Sequence, residues 1–249
     1  MTIQDFFEDY PKAAVAFSGG MDSAYLLYAA VQAGIDVCAY YVQSQFQPAF
    51  ELEDARRLTQ QIGASMKVLS VDVLSCDTVT ANPPDRCYHC KLQIFGTILQ
   101  AAKEDGYTVI LDGTNASDDV FDRPGMRALS ELSVLSPLRL AGLTKSEIRR
   151  RSERAGLFTW NKPAYACLAT RIPTGMKITR EALEKTETAE KILMQMGFRN
   201  FRVRMLTDGS AKLEVTADQM KQVLLYREEI LRRLDGLYPK TVLDLQARS

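Results

Sequence analysis

The chain has 249 residues, 46% hydrophobic and 25% charged, an ordinary composition for a globular protein and enough for one large domain or two smaller ones. Lysine plus arginine and aspartate plus glutamate number 31 each, so the formal net charge is zero, which argues against a surface that attracts nucleic acid over its whole extent. No apolar run reaches the ~18–20 residues of a membrane span, the acidic and aromatic start lacks a secretory pattern, and five cysteines without an export signal read as thiols, ligands or nucleophiles, so a cytoplasmic protein with no membrane partner is expected.

The first predicted element is a strand over residues 13–17. It runs into Ser18-Gly19-Gly20-Met21-Asp22-Ser23 and then into a helix over 22–33. Two adjacent glycines permit a turn at positive φ and let amide N–H groups approach a ligand closely. A helix that opens there aims its unpaired N–H groups and its positive dipole end at an anion. Ser18 and Ser23 add hydroxyl donors, and Asp22 can hold Mg²⁺. An ordinary glycine turn between strand and helix is the plainer alternative. The Lys-Ser/Thr pair of the Walker loop is absent.

Further along come a strand over 37–42 and an amphipathic helix over 50–62, with Leu52, Ala55, Leu58 and Ile62 near one face. A strand over 66–73, a helix over 91–102, a strand over 107–111 and a short strand over 134–136 follow. A helix over 144–155 is opened by Thr144 and Glu147 at capping-box spacing and stopped by Gly156. This alternation predicts an α/β domain, a parallel sheet covered by helices on both faces. Ligands of such sheets sit at the carboxyl ends of the strands, so the loops after Phe17, Val42, Val73 and Leu111 are expected on one rim.

From about residue 159 the pattern changes. Residues 161–177 read as a loop, then a helix over 179–196, two strands over 201–205 and 211–215 joined at Asp208-Gly209, a helix over 217–234 and a final run over 241–245. The expected division is 1–158 for the α/β domain, 159–178 for a loop carrying Cys167, and 179–249 for a small α+β substrate or oligomerisation domain. Arg202 and Arg204 alternate with Val203, so both face one side of a strand, as a bidentate grip on phosphate or as a solvated edge.

Cys87 and Cys90 form a C-x2-C, and Cys167 lies about 80 residues on. A structural zinc site would need a second such pair or two histidines, and the chain has one histidine, His89. A [4Fe–4S] cluster on three cysteines would leave one iron open. Lys162 and Arg171 flank Cys167 in sequence, and such cations raise a thiol's thiolate fraction. Two unrelated cysteines at a helix start are the plainer reading of the pair.

The glycine loop resembles the PP-loop, SGGxDS, of enzymes that cleave ATP to AMP and pyrophosphate. With it, the NPPDRCYHCK segment ending at Lys91, residues 112–119 with Arg123-Pro124-Gly125, the Lys162-Pro163 to Pro173 stretch and the Arg202/Lys212 hairpin resemble the LarE family, the ATP-dependent sulfur transferases of nickel-pincer nucleotide cofactor synthesis. Five motifs in order span nearly the whole chain. Two mild departures are Lys212 and Thr170, where the family more usually has Arg and Ser.

The resemblance implies that ATP adenylates a carboxylate of a pyridinium dicarboxylate mononucleotide and that sulfur then displaces AMP. It implies Ser18, Gly19, Gly20, Asp22, Ser23, Asn115 and Asp119 at ATP and Mg²⁺, with Asp118 beside them. It implies Tyr88, Arg171, Glu190, Arg202, Arg204 and Glu214 at the substrate, Tyr88 stacking on the pyridinium ring. Sulfur comes either from Cys167, sacrificed to dehydroalanine, or from a sulfide on a [4Fe–4S] cluster held by Cys87, Cys90 and Cys167, refilled by a sulfide donor. A homo-oligomer is expected. The alternatives are a PP-loop tRNA thiolase, an amide-forming synthetase and a cluster-binding carrier without catalysis.

Overall fold

The computed structural model describes residues 1–119 and 124–248. They form two compact units, one from residues 1–73 and 85–162, the other from 74–84 and 163 onward.

In the first unit, helix α1 (Ile3–Asp9) is opened by a reciprocal cap between Thr2 and Asp5. Strand β1 (Lys12–Ala16), helix α2 (Met21–Gln32), strand β2 (Asp36–Gln43), helix α3 (Ala49–Ile62) and strand β3 (Ser65–Ser70) follow. A one-turn helix α4 (Asp77–Thr80) belongs to the second unit. The chain returns with α5 (Arg86–Glu104), β4 (Ile110–Leu111), α6 (Pro124–Glu131), α7 (Pro137–Leu140) and α8 (Lys145–Arg154).

The four strands are parallel in the order β3-β2-β1-β4. Ala13, Ala14 and Val15 of the central strand are fully buried, as a strand covered on both faces requires. Ala24, Leu26, Leu27 and Ala30 of α2 and Ala55 and Leu58 of α3 fill the core beside it. With right-handed crossovers, this strand order puts α2 and α3 on one face and α5 on the other. Because β1, β2 and β3 advance in one direction while β4 pairs on the opposite side of β1, the order reverses between β1 and β4. That reversal opens a crevice at the carboxyl ends, flanked by the loops after these two strands.

Several elements differ from the sequence reading. β3 ends at Ser70, and Val73 begins a 3-10 turn. Residues 134–136 contribute a single bridge, Leu135 to Leu111. α5 starts at Arg86, which brings Cys87 and Cys90 into its first turns. At α8 only half the capping box forms: Thr144 accepts from the Glu147 N–H, but the Glu147 carboxylate accepts from Arg150 and Arg151 instead.

In the second unit, α9 (Arg180–Gln195) packs with a sheet of β5 (Arg202–Met205), β6 (Ala211–Glu214) and β7 (Thr241–Leu243). β5 and β6 form an antiparallel hairpin whose turn holds Gly209 at φ +80°, and β7 joins β6 in parallel. Ala189, Leu193, Val203 and Leu213 share its core with Ile230 and Leu234. The helix expected over 217–234 is split into α10 (Met220–Leu225) and α11 (Arg227–Leu234) by Tyr226, whose ψ of 15° leaves the helical region. Ile178 donates to the Thr80 carbonyl (2.7 Å) and the Asn82 amide to that of Pro173 (2.8 Å), which ties residues 74–84 into this unit.

Candidate functional site

The loop after β1 turns at Gly19, with φ +72°. The Ser18 and Ser23 hydroxyls stand 3.1 Å apart, and Ser23 donates to the Gly20 carbonyl (3.2 Å), so the two serines staple the turn. α2 opens at Gly20 with no side chain capping it, which directs its first-turn N–H groups to whatever enters the loop.

The loop after β4 meets that helix end directly. A Cβ on Gly113 would stand 2.8 Å from the Ser23 nitrogen. Only glycine lets the two backbones approach so closely. Beyond it, the Asn115 N–H donates to Asp118 (3.1 Å) and the Ser117 N–H to Asn115 Oδ1 (2.8 Å), while Ser117 Oγ accepts from the first N–H of α8 at Lys145 (3.0 Å). Asp112 is buried and accepts from Ser136 (2.6 Å) and Thr114, which fixes the base of this loop.

Asp22 stands in the first turn of α2. Its Oδ1 is buried with no hydrogen-bond partner. Burial pushes its carboxyl above the usual range and the Asp118 charge adds to this; Lys145, Arg149 and the Asn115 side chain pull the other way. A half-buried carboxylate with an idle oxygen beside a second acid suits Mg²⁺, which binds one or two carboxylates and takes its remaining ligands from phosphate and water. Among the described residues no group of three His, Cys, Asp or Glu side chains is arranged to hold a metal by itself. Ser18, Gly19, Gly20, Asp22, Ser23 and Asn115 are thus brought together. Asp119 is exposed on the same loop, and Arg123 lies outside the described residues.

Lys162 is a residue whose place in this loop the sequence did not reveal. Its ammonium pairs with Asp54 (2.7 Å) and lies 3.5 Å from the Gly19 carbonyl oxygen.

On α5, Cys87 is exposed and Cys90 half-buried, one helical turn apart. The Tyr88 hydroxyl donates to Glu131 (2.7 Å), and the Arg127 guanidinium sits 3.7 Å from its ring centroid, covering one face.

In the second unit, Cys167 precedes the 3-10 turn Leu168–Arg171, and its carbonyl accepts from the Thr170 hydroxyl (2.9 Å). Arg171 and Glu190 are each 1% exposed and face each other in a two-point pair of 2.8 and 3.1 Å. Arg171 also donates to the Ala166 carbonyl (3.0 Å), holding the residue next to Cys167. Glu190 accepts in addition from the Val203 N–H (3.0 Å) and the Tyr165 hydroxyl. Burial opposes the Arg171 charge, but Glu190, Tyr165 and Cys167 more than offset it and hold its pKa above the ordinary value. The charges of Arg171 and Glu190 are therefore satisfied within the protein.

Arg202 is not. Glu214 pairs with Arg204 (2.8 Å) and Lys212 (3.0 Å) and lies 3.6 Å from Arg248. Burial, then Arg248, Arg171 and Arg204, lower the Arg202 pKa to about 10. The Arg248 Nε is buried without a partner. This face of β5 and β6 carries more positive charge than its carboxylates neutralise, and an oxyanion such as phosphate would balance it. Arg248, delivered by its N–H bond to the Val215 carbonyl (2.9 Å), was not legible in the sequence, because only folding brings the tail to the hairpin.

Residues 12–82 match the family described as queuosine biosynthesis protein QueC. Over 238 residues the chain is 31% identical to the pyridinium-3,5-bisthiocarboxylic acid mononucleotide synthase of Lactiplantibacillus plantarum, covering 95% of this chain and 86% of that protein. An uncharacterized protein of Synechocystis sp. is 34% identical over 88% of this chain and 82% of its own. The tRNA-specific 2-thiouridylase MnmA of Thermotoga maritima is 23% identical over 61% of this chain and 54% of that one.

Proposed function

The chain belongs to the LarE family of ATP-dependent sulfur transferases, and from that membership we propose how its residues carry out the reaction. The protein takes a pyridinium dicarboxylate mononucleotide to a thiocarboxylate at the expense of ATP. The observation that carries the site assignment is the loop after β1: an uncapped helix end, two stapling serines and a buried, idle carboxylate oxygen at Asp22.

A substrate carboxylate oxygen attacks the α-phosphorus of ATP, and the bond to the β-phosphate bridging oxygen breaks, releasing pyrophosphate. The amides of α2, Ser18 and Ser23 hold the departing charge. Mg²⁺, held by Asp22, would supply further charge neutralisation there. The acyl adenylate now has AMP as a leaving group. A sulfur nucleophile adds to the acyl carbon and AMP departs. Arg202, Arg204 and Arg248 clamp the substrate phosphate by hydrogen bonds, while Arg171, braced by Glu190, holds the segment beside Cys167.

For the sulfur source we favour a cluster. The family resemblance supports Cys87 and Cys90, one turn apart on α5, with Cys167 as the three ligands of a [4Fe–4S] cluster; such a cluster would supply an exchangeable sulfide, refilled by a donor. The alternative uses Cys167 once: its thiolate adds to the adenylate, a base removes the Cα proton, the Cβ–S bond breaks, and the chain keeps dehydroalanine while sulfur leaves on the product. Intact mass after one cycle separates them: a loss of about 34 Da (H₂S) means the nucleophile was consumed, and an unchanged chain supports the cluster. A homo-oligomer working in the cytoplasm completes the proposal; the exposed Leu224, Leu225 and Leu231 of α10 and α11 support self-association.

A further inference from the structure

The glycine loop supplies no cation of its own. From residue 13 to residue 55 the chain contains neither lysine nor arginine, although its ligand is a triphosphate. Lys145 and Arg149 act on Asp22 at the start of α2, and among the described residues Lys162 brings an ammonium to the backbone of the loop itself. Lys162 closes the first unit, with its side chain only 15% exposed, 2.7 Å from Asp54 and 3.5 Å from the Gly19 carbonyl oxygen. The loop lies against α3 at this point: a Cβ on Gly19 would stand 3.3 Å from the Glu51 carbonyl oxygen and 3.5 Å from the Ala55 Cβ. Asp54 projects from the same stretch of α3. Its side chain is 30% exposed, so the pair sits at the edge of the crevice and is not sealed in the core. A carbonyl oxygen and one partly exposed carboxylate are weak competitors for an ammonium once several phosphate oxygens arrive beside it.

We propose that Lys162 is a phosphate-binding cation of this loop, held on Asp54 while the site is empty and transferred to a non-bridging phosphate oxygen when ATP enters. No bond to hydrogen changes hands in this exchange; the ammonium only trades one oxyanion for another. Lys162 lies five residues before Cys167. The inference rests on the adenylating reading of the site.

The full-length Lys162→Met, Lys162→Arg and Asp54→Asn variants separate this role from a structural tie between α3 and residue 162. Substrate-dependent exchange of pyrophosphate into ATP and the melting temperature are measured for each. Loss of a phosphate-stabilising cation predicts a fall in kcat of about 10²–10³-fold in Lys162→Met, with partial recovery in Lys162→Arg. Asp54→Asn removes only the resting partner, so its kcat stays within about threefold and its KM for ATP falls. Equal losses in Lys162→Met and Asp54→Asn overturn the inference, as does a raised KM in Asp54→Asn, a readout that survives if Lys162→Met does not fold. Absence of exchange in the unmodified protein overturns the adenylating reading itself, and this inference with it.

Discussion

At Asp22 and Arg202 burial outweighs the opposite charges nearby, whereas Arg171 and Glu190 meet in a buried two-point pair. On the proposed reading, Asp22 and Arg202 meet ligands while Arg171 and Glu190 brace the segment beside Cys167. For Asp22 the sign follows from burial: with the folded pKa raised, this residue's contribution to stability is full below the unfolded value of 3.8 and is lost as pH rises through the folded value. At neutral pH the carboxylate therefore costs the nucleotide-free protein stability. Asp22→Asn is expected to melt at a higher temperature than the unmodified protein at pH 7, with the difference shrinking toward pH 4, while ATP turnover is lost. A lower melting point at pH 7 would contradict the unfavourable burial. Glu190→Ala leaves the buried Arg171 without its counter-charge and is expected to cost about 3–5 kcal/mol in urea unfolding. A loss below about 1 kcal/mol would mean that solvent reaches the pair.

At the scale of elements, the site is made by two loops meeting at the reversal of strand order. Gly113→Ala is expected to destabilise by about 1–3 kcal/mol, because its Cβ would press on the Ser23 nitrogen, and to weaken ATP binding by shifting the start of α2. Unchanged affinity by calorimetry would show that the β4 loop does not position the phosphate loop. Much of this architecture was legible beforehand, since glycine turns, alternation of strand and helix, and the β5–β6 hairpin are encoded locally. α5 was read five residues short because Cys-Tyr-His-Cys has weak helix propensity. The pairing of Arg171 with Glu190, of Lys162 with Asp54, and of Arg248 with the hairpin were not legible, because each joins residues that only folding makes neighbours. The break at Tyr226 has no signal in the residues around it.

At the scale of the whole molecule, zero net charge fits a small nucleotide substrate better than a polyanion. The proposed self-association makes its own prediction: Leu224→Glu with Leu225→Glu should lower the mass seen by light scattering to that of one chain, since both side chains are exposed. An unchanged mass would remove these two side chains from any assembly. Every chemical step depends on where ATP is cut. The direct measurement is the product balance from γ-labelled ATP and the pyridinium dicarboxylate mononucleotide under single-turnover conditions. Labelled pyrophosphate and AMP, formed in equal amounts with the thiocarboxylate, are the predicted result; labelled orthophosphate with ADP would contradict it.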